Sequence, residues 1–344
     1  WTQWLFIQLY KNKLAYQKKA SVNWDPIDQT VLANEQVLSD GTSERSGGIV
    51  IQKPLKQWFF KITNYADELL NFNNLDWPQK TVSMQKNWIG KSLGCSIKFK
   101  ISNHKDKVEV FTTRADTIFG VTFIVLSPEH SLVKKISTNK KIEEINKYIK
   151  ISESLSELQR TYDLKVKTGV FTGAYAINPA NNKEIPIWIA DYVLSSYGTG
   201  AIMAVPGHDH RDYMFAKNYK LPILSVVEDR GYEGPPVSNT NCSGNGHCIN
   251  SNFLNGLYTT EAIEKSLDWL ESVGSGKRKN NYRLRDWLIS RQRYWGTPIP
   301  IVYDPKGNPH PIPEEYLPWV LPDDVEYKPK GTSPLGSSKE LIKR

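Results

Sequence analysis

Apolar and polar residues alternate along several short segments of the chain, a pattern typical of half-buried strands. The segments predicted as strands are 49–62, 95–101, 108–111, 123–126, 185–190 and 201–205. In other segments the apolar residues recur at helical spacing, and these predict helices over 1–20, from 64 to 70, over 143–157 and over 260–273. Strands therefore dominate residues 95–205, with helices between and after them, and the fold class is predicted to be α/β.

Turn-forming residues interrupt this pattern in two places. One stretch runs from Asn23 to Gly48, and the other, rich in Ser, Asn and Gly, runs from Pro235 to Gly256. The composition also changes near Gly90, and from Tyr282 onward the chain is again rich in Trp, Arg and Pro. We expect the middle section to be an insertion between two halves of another domain.

Composition narrows the class of protein. The chain has 344 residues, of which 23% are charged and 11% aromatic, and this mixture excludes a disordered polypeptide. Three cysteines are too few for a disulfide scaffold. No run approaches the ~18 uninterrupted apolar residues of a membrane span. At ~100–200 residues per domain, the length suggests two or three domains.

The net charge of +8 is concentrated in the middle of the chain. Residues 91–285 hold an excess of six positive charges, against two in residues 1–90 and none in residues 286–344. A positive field there suits a polyanionic partner, although a lysine-rich solvated surface has the same composition. The chain starts at Trp1, without Met or a targeting pattern, and we expect it to be an internal piece of a longer polypeptide.

The first segment with candidate chemistry is 112–117, with the sequence Thr-Thr-Arg-Ala-Asp-Thr, directly after a predicted strand. Three hydroxyls within six residues at the end of a strand could line a cleft and bind a polar substrate. A purely structural role is equally simple, because Thr favours strands and Asp116 or Thr117 could cap a turn.

The second segment runs from Gly198 to Asp212 and predicts a strand, a sharp Pro-Gly turn and a helix. Asp209 is the candidate N-cap of that helix. Asp209 and Asp212 are three residues apart, so both carboxylates share one face near the positive helix N-terminus, where they could hold a substrate ammonium or orient a water. The alternative is capping together with an ion pair to Arg211.

Two further groups of residues have the side chains of a metal site. His208, Asp209, His210 and Asp212 are residue types that bind hydrolytic metals, but a helix would point His210 away from the others. Cys242, His247 and Cys248 match no standard zinc spacing. Beyond residue 281, arginines alternate with aromatic residues, a composition typical of nucleotide or nucleic-acid surfaces.

Taken together and in this order, these segments resemble the middle of a bacterial-type leucyl-tRNA synthetase, a class I aminoacyl-tRNA synthetase. The resemblance covers essentially the whole chain. Besides the segments above, the strings that carry it are Asn23-Trp24, Thr30-Val31-Leu32-Ala33-Asn34-Glu35-Gln36-Val37, Gln57-Trp58-Phe59-Phe60-Lys61-Ile62, Asn87-Trp88-Ile89-Gly90 and Arg285-Asp286-Trp287 through Trp295-Gly296.

The resemblance implies a division into three parts. Residues 1–90 would be a partial catalytic domain that contains a connective module at about residues 20–50. Residues 91–284 would form an editing domain with a mixed β-barrel-like core and peripheral helices. Residues 285–344 would return into the truncated, Rossmann-like catalytic domain. The implied activity of the middle part is hydrolysis of tRNA(Leu) mischarged with isoleucine, norvaline or similar, while Leu-tRNA(Leu) is spared.

The resemblance also implies roles for individual residues. Thr112 and Thr113 would position the attacking water, and Asp212 would accept the α-ammonium of the substrate. Thr117 would crowd the branched γ-carbon of leucine. The residues that would form the rest of the pocket or contact the terminal adenosine are Met203, Val205, Tyr197, Asp209 and Arg114, the last of which would pair with Asp116 or reach a phosphate.

The sequence departs from the family pattern at the positions that would bind zinc and ATP. Asp25-Pro26-Ile27-Asp28 and Ser43-Glu44-Arg45-Ser46 stand where zinc-binding relatives carry Cys-x-x-Cys, so we expect no zinc. The ATP motifs of the family are absent, so ATP and Mg²⁺ would serve only the full-length synthetase, and editing would need no cofactor. We further expect the 3′ acceptor end of tRNA(Leu) as partner, no membrane, a monomer, and a bacterial cytoplasm or organelle matrix. A binding-only acceptor-end module is the remaining alternative.

Overall fold

The structure is a computed structural model of the 344-residue chain. It describes residues 1–32, 36–38, 40–153, 155, 159–160, 166–195, 198–228, 244–289, 296–327 and 334–343. Among these residues, no helix combines the length and apolar composition needed to cross a bilayer.

Seven α-helices and fifteen strands are present in the described residues. The helices are α1 (Thr2–Lys11), α2 (Gln79–Ile89), α3 (Val133–Ile136), α4 (Ile142–Glu153), α5 (His210–Tyr219), α6 (Thr259–Ser272) and α7 (Lys339–Lys343). The strands are β1 (Ala15–Asp25), β2 (Thr30–Leu32), β3 (Ile51–Phe60), β4 (Lys91–Ile101), β5 (Lys107–Thr112), β6 (Phe123–Leu126), β7 (Gly169–Ile177), β8 (Glu184–Ala190), β9 (Ala201–Ala204), β10 (Val227–Glu228), β11 (His247–Cys248), β12 (Gly276–Tyr282), β13 (Trp287–Leu288), β14 (Ile301–Tyr303) and β15 (Pro309–Pro311). Short 3₁₀ helices cover Ile62–Tyr65, Glu68–Leu70, Ala115–Gly120, Asn252–Leu254, Glu314–Tyr316 and Pro334–Ser337.

The chain divides into two compact units. Unit 2 comprises Gly90–Arg283, and unit 1 comprises Trp1–Ile89 together with Leu284–Arg344. The two ends of unit 2 meet, because the Arg283 backbone N–H donates to the Gly90 carbonyl over 3.2 Å. An insertion limited to 91–284 was expected from the sequence, and the contacts place the division one residue earlier at each end.

A seven-stranded sheet forms the framework of unit 2. Its order is β12-β4-β7-β8-β6-β9, and β5 pairs with β4 outside this path. The β6–β8 pair is parallel, whereas all other pairs are antiparallel, so the pairing is mixed as expected. The sheet curls until β5 packs against β9, but no ladder among the described residues joins these two strands. The core is therefore barrel-like without being a closed barrel, and the α/β class is confirmed.

The alternation seen in the sequence produces the core of this unit. On β4, Cys95, Ile97, Phe99 and Ile101 are buried on one face, as expected for a strand whose side chains alternate between core and solvent. They join a single large apolar cluster that also receives Met203 and residues from the helices packed on the sheet.

Unit 1 contains a four-stranded sheet in the order β13-β3-β1-β2. Each of its pairs is antiparallel, so the described part of unit 1 shows no parallel, Rossmann-like pair. A long ladder joins β1 and β3, and α1 packs Phe6 against Trp58 on β3.

Several predicted elements differ from the structure. The predicted helix over residues 1–20 is wrong beyond Lys11: the chain turns at Asn12 and Lys13, where Lys13 has φ 59°, and then pairs as β1. The helix expected from residue 64 is a pair of 3₁₀ turns, and the α-helix of this region begins only at Gln79, after Pro78. Pairing with β3 overrides the helical spacing in the first case, since a strand partner far along the chain is not visible locally.

Candidate functional site

The threonine segment lies where β5 ends. Thr112 is its last residue, and the hydroxyl oxygen of Thr112 accepts a 3.0 Å hydrogen bond from the Arg114 backbone N–H. Thr113 is exposed, whereas Thr112 is half-buried. The Thr112 hydroxyl thus stabilises the turn as an acceptor while its own proton stays available for another partner.

Arg114, Asp116 and Thr117 form a compact network inside the 3₁₀ helix Ala115–Gly120. The Arg114 guanidinium binds the fully buried Asp116 carboxylate through two N–H groups, with Nε–Oδ1 and Nη2–Oδ2 distances of 3.0 and 2.8 Å. The Thr117 hydroxyl donates to the Arg114 carbonyl oxygen over 2.8 Å, and Thr117 is 2% exposed. The predicted Arg114–Asp116 pair is therefore confirmed, and the Thr117 hydroxyl is held in a fixed direction.

Asp209 is the N-cap of α5, as its position after the Pro-Gly turn predicts. Its carboxylate accepts hydrogen bonds from the backbone N–H groups of Arg211 and Asp212, at 2.9 and 3.3 Å. The Arg211 guanidinium binds the same carboxylate from the solvent side, with an Nη2–Oδ2 distance of 2.9 Å. The pKa of Asp209 is lowered, because these hydrogen bonds and the charge of Arg211 outweigh its desolvation.

Asp212 lies beneath this cap and is 3% exposed. The Tyr192 hydroxyl donates to Oδ1 over 3.0 Å, and the Val205 backbone N–H donates to Oδ2 over 2.9 Å. Burial and the neighbouring Asp209 charge raise the pKa of Asp212 to about 7, against the lowering effects of Val205 N–H, Arg211 and Tyr192. Asp212 is therefore a buried carboxyl that changes its charge near neutral pH.

The structure brings the two predicted segments together. β6, which follows the 3₁₀ helix, is the ladder neighbour of β9, and the Thr122 backbone N–H donates to the Ala204 carbonyl over 3.2 Å. Gly120 makes the close approach possible, because a Cβ at this position would lie 3.2 Å from Val205 Cγ1 and 2.8 Å from Val226 Cγ2. Met203 and Val205 are buried in the adjoining core. The residue Tyr197 lies outside the described residues.

His208 has a structural role that its place in the sequence does not reveal. Its Nε2 accepts hydrogen bonds from the backbone N–H groups of both Val226 and Val227, at 2.9 and 3.1 Å. An imidazole nitrogen whose lone pair is engaged in this way does not bind a metal. In the part of the chain that the structure describes, no group of three or more His, Cys, Asp or Glu side chains could hold a metal ion.

Two residues of the second metal alternative, His247 and Cys248, make other contacts in the fold. Cys248 is buried on β11, where its N–H and carbonyl pair with Leu257 and Gly256. His247 packs its ring against Tyr258, with 5.4 Å between ring centroids. Cys242 lies outside the described residues.

Arg160 and Tyr192 support the site, and no pattern in the sequence indicates this role. Arg160 is buried, and its guanidinium donates to the Asp191 and Val193 carbonyls and to the Glu129 carboxylate, at 2.7, 3.0 and 2.6 Å. It thereby fixes the turn that carries Tyr192. Only the folded backbone places Arg160 beside that turn, which lies some thirty residues further along the chain.

Comparison with known proteins decides the family. Residues 86–271 match the model of the leucyl-tRNA synthetase editing domain, and residues 262–321 match the model of class I tRNA synthetases for I, L, M and V. The chain belongs to the leucyl-tRNA synthetase family.

Curated relatives agree with this assignment. The chain is 53% identical to the leucine–tRNA ligase of Clostridium kluyveri and 54% identical to that of Clostridium tetani, over 99% of its own length in both comparisons. It spans about 41% of the length of each of these ligases.

A solved structure of the same family shares the fold. It is the crystal structure of the ternary complex of Agrobacterium radiobacter K84 agnB2 LeuRS-tRNA-LeuAMS, with 35% identity and a TM-score of 0.78. The match covers 99% of this chain and 39% of that leucyl-tRNA synthetase.

Proposed function

We propose that unit 2 hydrolyses the aminoacyl ester of mischarged tRNA(Leu), with isoleucine and norvaline among the amino acids removed, and that it spares Leu-tRNA(Leu). The observation that supports this most directly is the packing of β5, which ends at Thr112, against β9, which leads to Val205 and its hydrogen bond to the buried Asp212, inside a domain of the editing family. A binding pocket prefers one amino acid over another that differs by a single methylene group by only about 10–200-fold. A second site that hydrolyses the wrong product is the physical means of reaching higher accuracy.

The proposed chemistry needs no nucleophile from the protein. An aminoacyl ester is already activated, and the hydroxyls of Thr112 and Thr113 would hold the attacking water against its carbonyl carbon. Asp212 in its ionised form would attract the substrate α-ammonium through the second lone pairs of its oxygens. The ammonium would in turn lower the Asp212 pKa, since an opposite charge favours the ionised carboxylate.

Thr117 is proposed to exclude leucine by the bulk of its side chain. Because its hydroxyl is bound to the Arg114 carbonyl, its methyl group has a fixed direction. Thr117→Ser removes the methyl and keeps the hydrogen bond, whereas Thr117→Val keeps the shape and removes the bond. If the methyl excludes leucine, the Ser variant hydrolyses Leu-tRNA(Leu) and the Val variant does not.

The decisive experiment compares deacylation of Ile-tRNA(Leu) and Leu-tRNA(Leu) by this chain. We expect hydrolysis of the first only, and loss of that hydrolysis in Asp212→Ala. A chain that binds Ile-tRNA(Leu) without hydrolysing it would instead be a binding-only module. Asp212→Ala with full activity would remove the ammonium role while leaving the assignment of the domain intact.

We also propose that the connective module needs no zinc. By the family resemblance, Asp25 would occupy one of the positions where zinc-binding relatives have cysteine, and it is fully buried. Its oxygens accept hydrogen bonds from the backbone N–H groups of Ile27 and Asp28, at 2.9 and 3.1 Å, and from the Ser46 hydroxyl at 2.6 Å. These carboxylate and hydroxyl groups do not fit a thiolate zinc site. Their hydrogen bonds hold together the two turns that a zinc ion would otherwise join.

The remaining proposals concern the longer protein. Its ligation of leucine to tRNA(Leu), with ATP and Mg²⁺, would depend on segments that this chain does not include. We propose the 3′ acceptor end of tRNA(Leu) as the partner of unit 2, a monomeric state, and function in a bacterial cytoplasm or organelle matrix.

A further inference from the structure

Unit 1 contains a lysine-rich cleft, and every residue that lines it belongs to unit 1. The cleft has a volume of about 560 Å³, and its walls include four lysines. The lysines are Lys11, Lys13, Lys56 and Lys61. Its floor is formed by Ala15, Gln17 and Trp58, which share one face of the β1–β3 ladder.

Positive charge in the cleft is largely uncompensated. Lys11 forms an ion pair with Glu314 over 2.7 Å, but among the described residues Lys13, Lys56 and Lys61 have no ion pair. None of the described residues that line the cleft is acidic. The nearby Asp286 carboxylate is engaged by the Tyr16 hydroxyl at 2.6 Å and by the Thr63 hydroxyl at 2.7 Å. A negatively charged ligand would therefore meet three lysines, Lys13, Lys56 and Lys61, that form no ion pair among the described residues.

The strand register adds a specific unfavourable contact. Lys19 and Lys56 are directly opposite each other on β1 and β3, so both side chains project from the same face as the cleft floor. Like charges in opposite positions destabilise an antiparallel pair. A bound polyanion would relieve this repulsion, whereas a neutral ligand would not.

Aromatic rings accompany the lysines along the cleft. Lys61 Nζ lies 5.2 Å from the centre of the Tyr16 ring, and Lys56 Nζ lies 5.6 Å from the centre of the Tyr303 ring, which is 49% exposed. Lysines that contact phosphates, next to aromatic faces on which bases can stack, are the two components of single-strand recognition.

We propose that this cleft binds the phosphodiester backbone of a single-stranded RNA segment. The proposal rests on an RNA being the partner of the protein, and it adds a contact surface outside the editing domain. Counterion release from three neutralised phosphates would supply the binding free energy and make the affinity depend steeply on salt.

The test measures binding of a short fluorescein-labelled single-stranded RNA to the full chain by fluorescence anisotropy across a salt series. The triple variant Lys13→Gln, Lys56→Gln and Lys61→Gln should bind about tenfold more weakly at about 0.1 M salt, and the slope of log K against log salt should fall by about 2. The matched control replaces the exposed Lys134, Lys135 and Lys140 of unit 2 by Gln. It removes the same charge and should leave slope and affinity nearly unchanged.

Equal weakening by both triple variants would overturn the proposal, because the binding would then follow the net charge alone. Unchanged binding by the cleft variant would overturn it as well. Lys56→Arg keeps the charge and should retain wild-type affinity, which guards against a folding defect. Since deacylation is not the readout, the hydrolytic proposal can fail while the cleft still binds RNA, and the reverse also holds.

Discussion

The Tyr192 hydroxyl donates a 3.0 Å hydrogen bond to Asp212, and both side chains are buried. This contact connects the turn after β8 to the first turn of α5, and it faces the same carboxylate as the Val205 backbone N–H. Tyr192 is therefore a positioning residue for Asp212. It controls the orientation of the carboxylate and also its charge, because a donated hydrogen bond favours the ionised form.

Two variants should move the Asp212 pKa in opposite directions. Tyr192→Phe removes a donor that lowers this pKa, so the pKa should rise above about 7, by up to about one unit. Asp209→Asn removes the neighbouring negative charge and keeps the helix cap, so the pKa should fall. The pH profile of Ile-tRNA(Leu) hydrolysis should shift upward for Tyr192→Phe and downward for Asp209→Asn. If both variants shift the pH profile in the same direction, ionisation of Asp212 does not determine how the rate falls at low pH.

Asp212 should also make the stability of the fold depend on pH. Its pKa of about 7 lies above the ~3.9 of an unfolded Asp, so the folded state holds an extra proton between these values. The contribution of Asp212 to the free energy of unfolding should be highest below about pH 4 and should fall as the pH rises through about 7. Urea unfolding across this range should show a flatter pH dependence for Asp212→Asn. The exposed-site variant Glu153→Gln should keep the wild-type dependence.

His208→Ala should lower the free energy of unfolding by about 2 kcal/mol or more, because it leaves two buried backbone N–H groups without their acceptor. His210 is exposed at the first position of α5, and His210→Ala should change stability by less than about 0.5 kcal/mol. Denaturant unfolding of both variants tests the difference. Equal effects would mean that the His208 contacts with Val226 and Val227 contribute nothing.

Arg160→Met should destabilise the protein by about 3 kcal/mol, since it leaves the Glu129 carboxylate and two carbonyl groups without their donor. Arg278 is the matched comparison, because it contacts three carboxylates but lies on the surface. Arg278→Met should change the unfolding midpoint much less, because exposed ion pairs are screened by water and salt. If Arg278→Met lowered the free energy of unfolding more than Arg160→Met, burial would not determine how much each arginine contributes to stability.

Removal of divalent metals should leave the thermal unfolding of the chain unchanged, whereas Asp25→Ala should destabilise unit 1 by about 2 kcal/mol. The reason is that Asp25 holds its turns by hydrogen bonds from Ile27, Asp28 and Ser46. Melting in the presence and absence of a chelator measures the first effect. Asp28→Ala is the control, because it removes a 3.5 Å surface ion pair between the Asp28 side chain and Arg45 and keeps the backbone N–H that binds Asp25. A drop in melting temperature on chelation would disprove the zinc-free proposal.

The parts of this structure that were predictable from the sequence are those encoded locally. The alternation in β4 and the Asp209 cap follow from residues within a single element. β12 was not predicted, because its sequence is polar and mostly exposed and only pairing with β4 makes it a strand. The end of α1 at Lys11 likewise depends on a partner strand about forty residues away.

The candidate site divides in the same way. Thr112, Thr117 and Asp212 could be proposed from the strings that contain them. Tyr192 and His208 could not be given their roles, since each acts through a contact with a distant segment. Long-range hydrogen bonds of this kind leave no pattern in a single sequence.

The two ends of unit 2 lie side by side, since Arg283 binds Gly90 through its backbone N–H. The chain leaves unit 1 after Ile89 and returns at Leu284, whose backbone N–H donates to the Ile89 carbonyl over 3.1 Å, so loss of unit 2 would shorten a single loop. The entropy of closing a loop grows only slowly with its length. We therefore expect that a short hairpin joining Ile89 to Leu284 would be enough to replace unit 2 while unit 1 keeps its own fold.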